Sequence, residues 1–334
     1  MANQDTYGIS GGIREDLSDF IYNISPTDTP ILQAAEWTTA TSTNHEWTED
    51  TLTAPVANNA KAEGAAMGTP TAVSGGNRLG NYTQISRKTY GVSGTSEVVT
   101  KVGRDSEIAF GRAKSMRELK TDIDMAICAA NSAKNAGTAG AAGNPRISAS
   151  LECWVRNADR GNLGTAPATF DGAATDGLAT LANCRAFSQA PLDNVIEQCW
   201  NDGGRPSLLV LGGEGRKKFA TFDGVGNTSA SASTSRTDRA DKTIYGTVDV
   251  YVSSFGIDLR AVNSRHLRKD AATGTVDRDA WLIDPEHIKV AYLRPFEIEE
   301  FAKTGDSIEE AVQAEWTLQV DNTHAHGLVA DLKA

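Results

Sequence analysis

A long amphipathic stretch between Arg104 and Ala136 limits the possible folds of this chain more than any other pattern. Apolar side chains recur there at three- and four-residue steps, as expected for one face of a helix. They are Ala109, Ala113, Met116, Leu119, Ile123, Ala126, Ile127 and Ala130. The spacing predicts a helix of roughly 30 residues, about 45 Å long, capped by Asp105 or Ser106 and ended by Gly137. A rod of this length is unusual in a globular domain, so the remaining elements must be arranged around it.

The segment before the rod, residues 37–88, is rich in Thr, Ala, Asn and Gly. Short alternating runs at 45–49 and 82–86 predict a two-stranded excursion. Its tip, residues 54–77, holds almost nothing that could bury itself against the same chain, and loops of this length in compact domains are usually functional or disordered. We therefore expect a neighbouring chain to order the tip. Deletion of residues 55–77 is expected to leave a folded subunit that assembles poorly.

Two further regions lack a simple period. Near the start, apolar positions 13, 17, 20, 21 and 24 predict a short helix. Pro26 and Pro30 stop it and favour an extended arm. Residues 137–186, called the connector below, are rich in Gly and Ala and are interpreted as irregular, with one hairpin at most.

Beyond the connector the pattern is that of an α/β lobe followed by strands. A helix is predicted at 191–202, with Leu192, Val195, Ile196, Cys199 and Trp200 on one side. A buried strand at 207–211 and a helix at about 215–222 follow, and the Ser/Thr/Ala-rich segment 227–235 is expected to be mobile. Alternating residues then predict strands at 247–252, 257–262, 280–284, 288–293, 312–320 and 325–332.

The overall charge and the cysteine content exclude several classes of protein. Lys and Arg total 32 against 43 Asp and Glu, which gives a formal net charge of −11. Such a chain is not expected to grip DNA or anionic lipid by bulk attraction. No apolar run is long enough to span a membrane, and the start of the chain does not have the pattern of a signal peptide. The four cysteines show no C-x-x-C spacing and are expected to be reduced and buried.

Candidate chemical sites fail their templates. The turn at Gly212-Gly213 follows a predicted strand and precedes a helix, but it matches neither phosphate-binding glycine pattern. His324 and His326 could share one face of a strand, yet no third metal ligand is nearby, so exposed histidines at a strand end are the preferred interpretation. Gly91-Val92-Ser93-Gly94 has the wrong spacing for a hydrolase nucleophile. We expect no enzyme, and we name no catalytic, cofactor-binding or metal-binding residue.

The order of elements, together with several motifs, resembles the major capsid proteins of tailed bacteriophages with the Hong Kong 97-type fold. The matching pieces are Tyr22-Asn23-Ile24-Ser25-Pro26-Thr27-Asp28-Thr29-Pro30, Lys242-Thr243-Ile244-Tyr245-Gly246, Asp284-Pro285-x-x-x-Lys289-Val290-Ala291-Tyr292-Leu293-Arg294-Pro295-Phe296, Phe301-Ala302-Lys303-Thr304-Gly305-Asp306-Ser307 and Ala325-His326-Gly327. The resemblance spans nearly the whole chain and is weakest in the connector, which has no motif that matches.

The resemblance implies an α+β fold divided into named parts. They are an N-arm (1–36), an E-loop hairpin (37–88), a P-domain with a long spine helix (89–136, the helix at about 104–136), the connector or insertion (137–186), an α/β A-domain (187–290) and P-domain return strands (291–334). Trp47, Trp316 and the stripe 109/113/116/119/123 are expected to be packing positions.

The same resemblance implies a structural function. Copies would assemble as hexamers and pentamers into an icosahedral head that encloses double-stranded DNA without sequence-specific binding. The expected location is the virion, after assembly in the cytoplasm of the host bacterium, with a portal at one vertex and with scaffolding or cement proteins as further possible partners. Some related shells carry a Lys-to-Asn crosslink, and Lys61 lies in the tip, but no partner residue can be named. The alternatives are a phage decoration or fibre protein and an α/β nucleotide-binding enzyme.

Overall fold

A four-stranded sheet, a six-stranded sheet and a long helix form the framework of the part of the chain that the structure describes. The computed structural model describes residues 28–68, 75–99, 105–138, 143–161, 164–177, 180–220, 222, 250–269, 276–303 and 305–333. Its helices are α1 (Pro30–Ala34), α2 (Gly94–Val98), α3 (Glu107–Cys128), α4 (Gln189–Asn201) and α5 (Gly213–Phe219). Its strands are β1 (Glu36–Thr39), β2 (Asn44–Glu49), β3 (Asn77–Tyr82), β4 (Gln84–Ser93), β5 (Asn157–Asp159), β6 (Arg185–Ala186), β7 (Leu208–Leu211), β8 (Val250–Val252), β9 (Asp258–Asn263), β10 (Ala280–Ile283), β11 (Ile288–Glu300), β12 (Ser307–Val320), β13 (Gly327–Val329) and β14 (Leu332–Lys333).

Helix α3 is the predicted rod, but it is shorter than the sequence pattern indicates. Its start is confirmed, because the Ser106 hydroxyl accepts a hydrogen bond from the Ala109 N–H at 3.2 Å. Its end is not at Gly137: the helix stops at Cys128 after 22 residues, or about 33 Å. Asn131 then takes the left-handed backbone conformation, with φ of 45°. The following residues bond to the connector instead of continuing the helix.

Those bonds explain why the helical pattern does not extend further. The backbone N–H of Lys134 donates to the carbonyl of Gly172 at 2.7 Å, and Asn135 and Ile147 exchange two backbone hydrogen bonds. Long-range pairing therefore outweighs the helical preference of this alanine-rich run.

The buried face of α3 comprises only part of the predicted stripe. Leu119, Ile123 and Ile127 are fully buried and belong to the main core cluster. Ala109 and Ala113, in the first half of the helix, are exposed, which corrects their assignment as packing positions. The C-terminal half of the helix packs into the body of the protein, whereas Ala109 and Ala113 in the N-terminal half take no part in that packing.

The four-stranded sheet lies against α3 and has the strand order β1-β11-β12-β4. Strands β11 and β12 form a long antiparallel hairpin, while β1 runs parallel to β11. The β11–β12 register shifts on either side of Arg294, next to Pro295, which has no N–H to donate to the ladder. In β4 the residues alternate between exposed and half-buried, as expected for a strand with one packed face.

The six-stranded sheet forms the α/β lobe, with the order β5-β13-β10-β7-β9-β8. Helix α4 packs on one face of it through four fully buried side chains, Leu192, Val195, Ile196 and Cys199. Trp200, assigned from the sequence to the same side, is exposed instead and stacks on Phe255 with ring centroids 5.6 Å apart. The predicted strand–turn–helix at β7 and α5 is confirmed.

Most of the connector is irregular, as predicted, but it also supplies the short strands β5 and β6 and part of the core. Leu151, Cys153, Trp154 and Val155 are all fully buried and join the cluster that contains the α3 side chains. The ring of Trp154 lies 5.2 Å from that of Trp47, at the root of the predicted excursion. A segment without helical or strand periodicity thus fills the space between the rod and both sheets.

The end of the predicted N-arm does not run on as extended chain. Pro30 begins the short helix α1, where a missing N–H costs nothing. The helix docks on the rod with Ile31 fully buried, and the Asp124 carboxylate accepts the Leu32 N–H at 2.8 Å. The predicted helix at 13–24 and the predicted mobile segment 227–235 lie outside the described residues.

Candidate assembly surfaces

The two-stranded excursion predicted from the sequence is present as a hairpin whose end is exposed to solvent. We call residues 44–82 the extension. Strands β2 and β3 pair in antiparallel register from Asn44 opposite Tyr82 to Glu49 opposite Asn77. Residues 51–68 contain no strand or helix and are exposed throughout. From here on the tip means these residues, which overlap the segment 54–77 predicted from the sequence. Leu52, Val56 and Met67 are 98%, 70% and 100% exposed, so the tip presents apolar side chains that the described part of the chain leaves open to solvent.

The hairpin of the extension is fixed to the body by buried polar groups near both of its ends. The Glu49 carboxylate accepts hydrogen bonds from both the N–H and the hydroxyl of Thr323, each 2.8 Å long. The side-chain amide of Asn81 donates to the carbonyl of Leu318 at 2.8 Å, and its oxygen accepts the Ala149 N–H at 2.9 Å. Both side chains are buried. Satisfied buried hydrogen bonds of this kind set the direction of the hairpin and leave only the tip free.

The outer part of the β11–β12 hairpin provides a second surface. On β11, residues 297–300 are exposed, including Ile298, whereas the facing residues of β12 are buried. The buried Glu310 carboxylate on β12 bonds to the guanidinium of Arg112 and the hydroxyl of Tyr90, which ties the hairpin to the rod and to β4. The guanidinium lowers the pKa of Glu310. Strand β12 is thus bonded to the rod through Glu310, whereas residues 297–300 of β11 are exposed.

Outer strands of both sheets also carry exposed apolar side chains. Trp37 on β1 is 59% exposed and stacks on Tyr292, with centroids 5.1 Å apart. Val250 and Val252 on β8 are also more than half exposed. Isolated chains usually protect such edges with charges, so these positions are further candidates for contact with another copy.

The glycine turn before α5 is already occupied by a carboxylate of the same chain. The N–H of Glu214 donates to the Asp277 carboxylate at 2.8 Å. A Cβ built at Gly212 would lie 2.1 Å from the carboxylate carbon of Asp277, so glycine is required for this approach. The geometry places a negative side chain where a phosphate would sit, which counts against nucleotide binding here.

The two histidines near the C-terminus are not a metal pair. His324 contacts the Asp202 carboxylate at 2.7 Å, whereas His326 is fully buried. The expectation that both are exposed at a strand end is therefore wrong for His326, which is drawn into the core next to β13. Within the described ranges, no group of three His, Cys, Asp or Glu side chains is arranged to hold a metal ion.

His326 is held as a neutral ring. Its Nδ1 accepts the Asp284 N–H at 3.2 Å, which leaves Nε2 to donate to the carbonyl of His287 at 3.3 Å. Burial lowers the pKa of His326 to about 4. Because the unfolded ring binds its proton near pH 6.5, His326 stabilises the fold above that pH, and its contribution is lost as the pH falls towards 4.

We expect His326→Gln to remove this acid sensitivity. Relative to the variant, the wild-type free energy of unfolding should fall by about 3 kcal/mol between pH 6.5 and 4. Urea unfolding at a series of pH values measures the difference. His324→Gln, at the half-exposed neighbouring position, is the control, and a similar effect from both variants would contradict the assignment.

The remaining sequence predictions concern thiols and the tip. All four cysteines are buried thiols, and none of them forms a disulfide, as predicted. Burial raises the pKa of the Cys153 and Cys199 thiols to about 12, so they stay protonated.

Lys61 lies exposed in the tip; a crosslink there stays a prediction. Of the helices in the described ranges, none combines the length and apolarity that crossing a bilayer requires.

Comparison with known proteins gives one consistent result. A family model described as "SU10 major capsid protein" matches residues 1–333. The "Major capsid protein" of Escherichia phage Phieco32 is 29% identical over 117 residues, 34% of this chain and 32% of that protein. The chain therefore spans about a third of the length of the curated relative in this match.

Solved structures share the fold at low sequence identity. A chain from Mycobacterium phage Ogopogo has a TM-score of 0.58 at 12% identity, covering 99% of this chain and 100% of its own. A chain from the capsid of an empty GTA particle has a TM-score of 0.60 at 11% identity, with both chains fully covered. The fold is thus of the Hong Kong 97 type, and the chain belongs to the SU10 major capsid protein family.

Proposed function

We propose that this protein is the building unit of an icosahedral phage head and that copies assemble as hexamers and pentamers. The observation that carries the proposal is the extension, whose hairpin is fixed by Glu49 and Asn81 while its tip exposes Leu52, Val56 and Met67. A neighbouring copy would cover these side chains. Because each contact repeats around a closed shell, a modest contribution per subunit is multiplied many times.

We assign the parts of the subunit by the same proposal. Residues 1–36 act as the N-arm, 37–88 as the E-loop, 89–136 and 291–334 as the P-domain, and 187–290 as the A-domain. The hydrogen bond between Asp124 and Leu32 supports an arm that is anchored to the spine helix at its end. The connector is assigned a structural role because it supplies buried side chains to the core between these parts.

The proposed partners follow from this assignment. The shell encloses double-stranded DNA, which the net charge of −11 does not hold tightly, so packaging and release are not obstructed. A portal occupies one vertex, and scaffolding or cement proteins are further candidate partners. The proposed location is the virion, after assembly in the host cytoplasm. The protein has no catalytic role in this proposal.

Electron microscopy of the purified chain tests the proposal. Shells, tubes or rings of six or five copies are expected when the protein is concentrated. A decoration or fibre protein would give isolated trimers instead. Trimers, or monomers that stay dispersed at high concentration, would contradict the proposal.

A further inference from the structure

A buried cluster of charges lies between the connector and the six-stranded sheet. It contains three carboxylates, Glu152, Asp176 and Asp279, and two guanidiniums, Arg160 and Arg268. The side chains of Glu152 and Asp279 are fully buried, and the other three are no more than 10% exposed. With every group ionised, these five side chains carry one uncompensated negative charge away from water, which is costly.

The pairing within the cluster leaves Glu152 as the uncompensated member. Arg160 Nε lies 2.6 Å from Asp176, and Arg268 hydrogen-bonds to Asp279. Glu152 Oε1 is 3.8 Å from Arg268 Nη1, too far for a hydrogen bond. Its other oxygen, Oε2, is buried without a hydrogen-bond partner among the described residues. Arg268 Nη1 is also buried without a hydrogen-bond partner among the described residues, so in this geometry the carboxylate has an opposite charge nearby but not the short hydrogen bonds that a buried negative charge needs.

The nearest hydroxyl gives the carboxylate only weak support. Ser150 Oγ lies 3.5 Å from Glu152 Oε1, and it also lies 3.2 Å from the carbonyl of Ser132. The hydroxyl has one hydrogen to give, and the Ser132 carbonyl is closer. A protonated Glu152 can instead donate its own hydrogen to Ser150 Oγ, and the Ser150 hydroxyl then keeps its bond to the Ser132 carbonyl.

The other titratable groups around Glu152 do not compensate its charge. The negative charges of Asp279 and Asp176 raise the pKa of Glu152 and so oppose Arg268, which lowers it. The nearby thiols of Cys153 and Cys128 are neutral because burial raises their pKa. Burial, as the largest cause, raises the pKa of Glu152 to about 8. Burial raises that of Asp279 only to about 6, since Arg268 bonds to it directly.

We propose that Glu152 retains a proton in the folded subunit at neutral pH, and that losing this proton to mildly alkaline solvent loosens the junction between the connector and the six-stranded sheet. Deprotonation would leave an unpaired negative charge between Asp176 and Asp279. The junction joins two regions of the chain, because Glu152 and Asp176 belong to the connector whereas Arg268 and Asp279 lie between β9 and β10. The inference does not depend on shell formation.

The test is the pH dependence of unfolding in Glu152→Gln. The folded-state pKa is raised, so the proton's contribution is fully present at acid pH and is lost as the pH rises to about 8. Between about pH 6.5 and 7.5, the wild-type unfolding constant should rise about tenfold relative to that of Glu152→Gln. The amide keeps the shape of the side chain and can still donate to Ser150. An unchanged ratio across this range would overturn the proposal.

A matched control is Glu315→Gln. Glu315 is also a buried glutamate, but its carboxylate pairs with both Arg146 and Arg294, so its substitution should leave the wild-type pH slope between 6.5 and 7.5 in place. If Glu152→Gln fails to fold, infrared spectroscopy of wild-type protein provides the second measurement. A carboxylic-acid carbonyl band at neutral pH that disappears as the pH passes about 8 supports the proposal, and its absence at neutral pH overturns it.

Discussion

A subunit whose extension is cut back to its hairpin is expected to fold normally and to lose most of its ability to assemble. Replacing residues 52–75 by a short Gly-Asn turn removes Leu52, Val56 and Met67 but keeps Glu49 paired with Asn77. Each apolar side chain contributes about 1.5–3 kcal/mol when fully buried. Losing three such contributions should weaken association of neighbouring copies by at least about a hundredfold.

Sedimentation and circular dichroism separate assembly from folding in this experiment. The truncated chain should keep the wild-type spectrum and thermal midpoint while sedimenting as a small species. The cut differs from the 55–77 deletion considered from the sequence, because Asn77 belongs to β3. Asn58→Ser with Asn59→Ser, two polar changes within the tip, is the control and should assemble as the wild type does. Normal assembly of the truncated chain would show that the tip makes no essential contact.

Trp154→Ala is expected to be the most damaging single substitution for stability, at about 3–5 kcal/mol. The Trp154 ring is fully buried between the rod, the base of the extension and Gly172, where a Cβ would lie 2.5 Å from the ring. Removing the ring leaves a cavity that this crowded backbone cannot fill. Urea unfolding followed by circular dichroism gives the loss in free energy.

Trp37→Ala is the matched comparison for this substitution. Trp37 is more than half exposed and loses mainly its ring contact with Tyr292, so a cost of about 1 kcal/mol is expected. A Trp154→Ala variant as stable as Trp37→Ala would mean that the connector does not contribute to the core.

Periodic segments were predictable from the sequence because their side chains repeat with the geometry of a helix or strand. Helix α4, strand β7 and the β8–β9 hairpin follow that rule, as does the buried half of α3 around Ile123. The apolar spacing overestimated the length of the rod. Ala133 and Lys134 favour a helix, but Ser132 and Asn135 do so less, and the N–H groups of Lys134 and Asn135 bond to the connector. Sequence alone does not report such long-range pairing.

Buried polar residues could not be identified from the sequence. Asp124 and Glu152 lie next to apolar residues, but nothing in the local pattern separates these two, or Glu49 and Asn81, from exposed side chains, because residues of these types are usually at the surface. Their partners lie far away along the chain, as with Glu49 and Thr323 or Asp124 and Leu32. The exposure of the tip, in contrast, was predictable because the scarcity of core-forming residues can be read directly from that segment of the sequence.

Amide hydrogen exchange of residues 51–68, compared between dissociated subunits and assembled particles, tests most directly whether a second copy completes the subunit. The account predicts rapid exchange throughout the tip in the free subunit and strong protection around Leu52, Val56 and Met67 after assembly. The base of the extension near Asn81 should be protected in both states. Equal exchange of the tip before and after assembly would contradict the account.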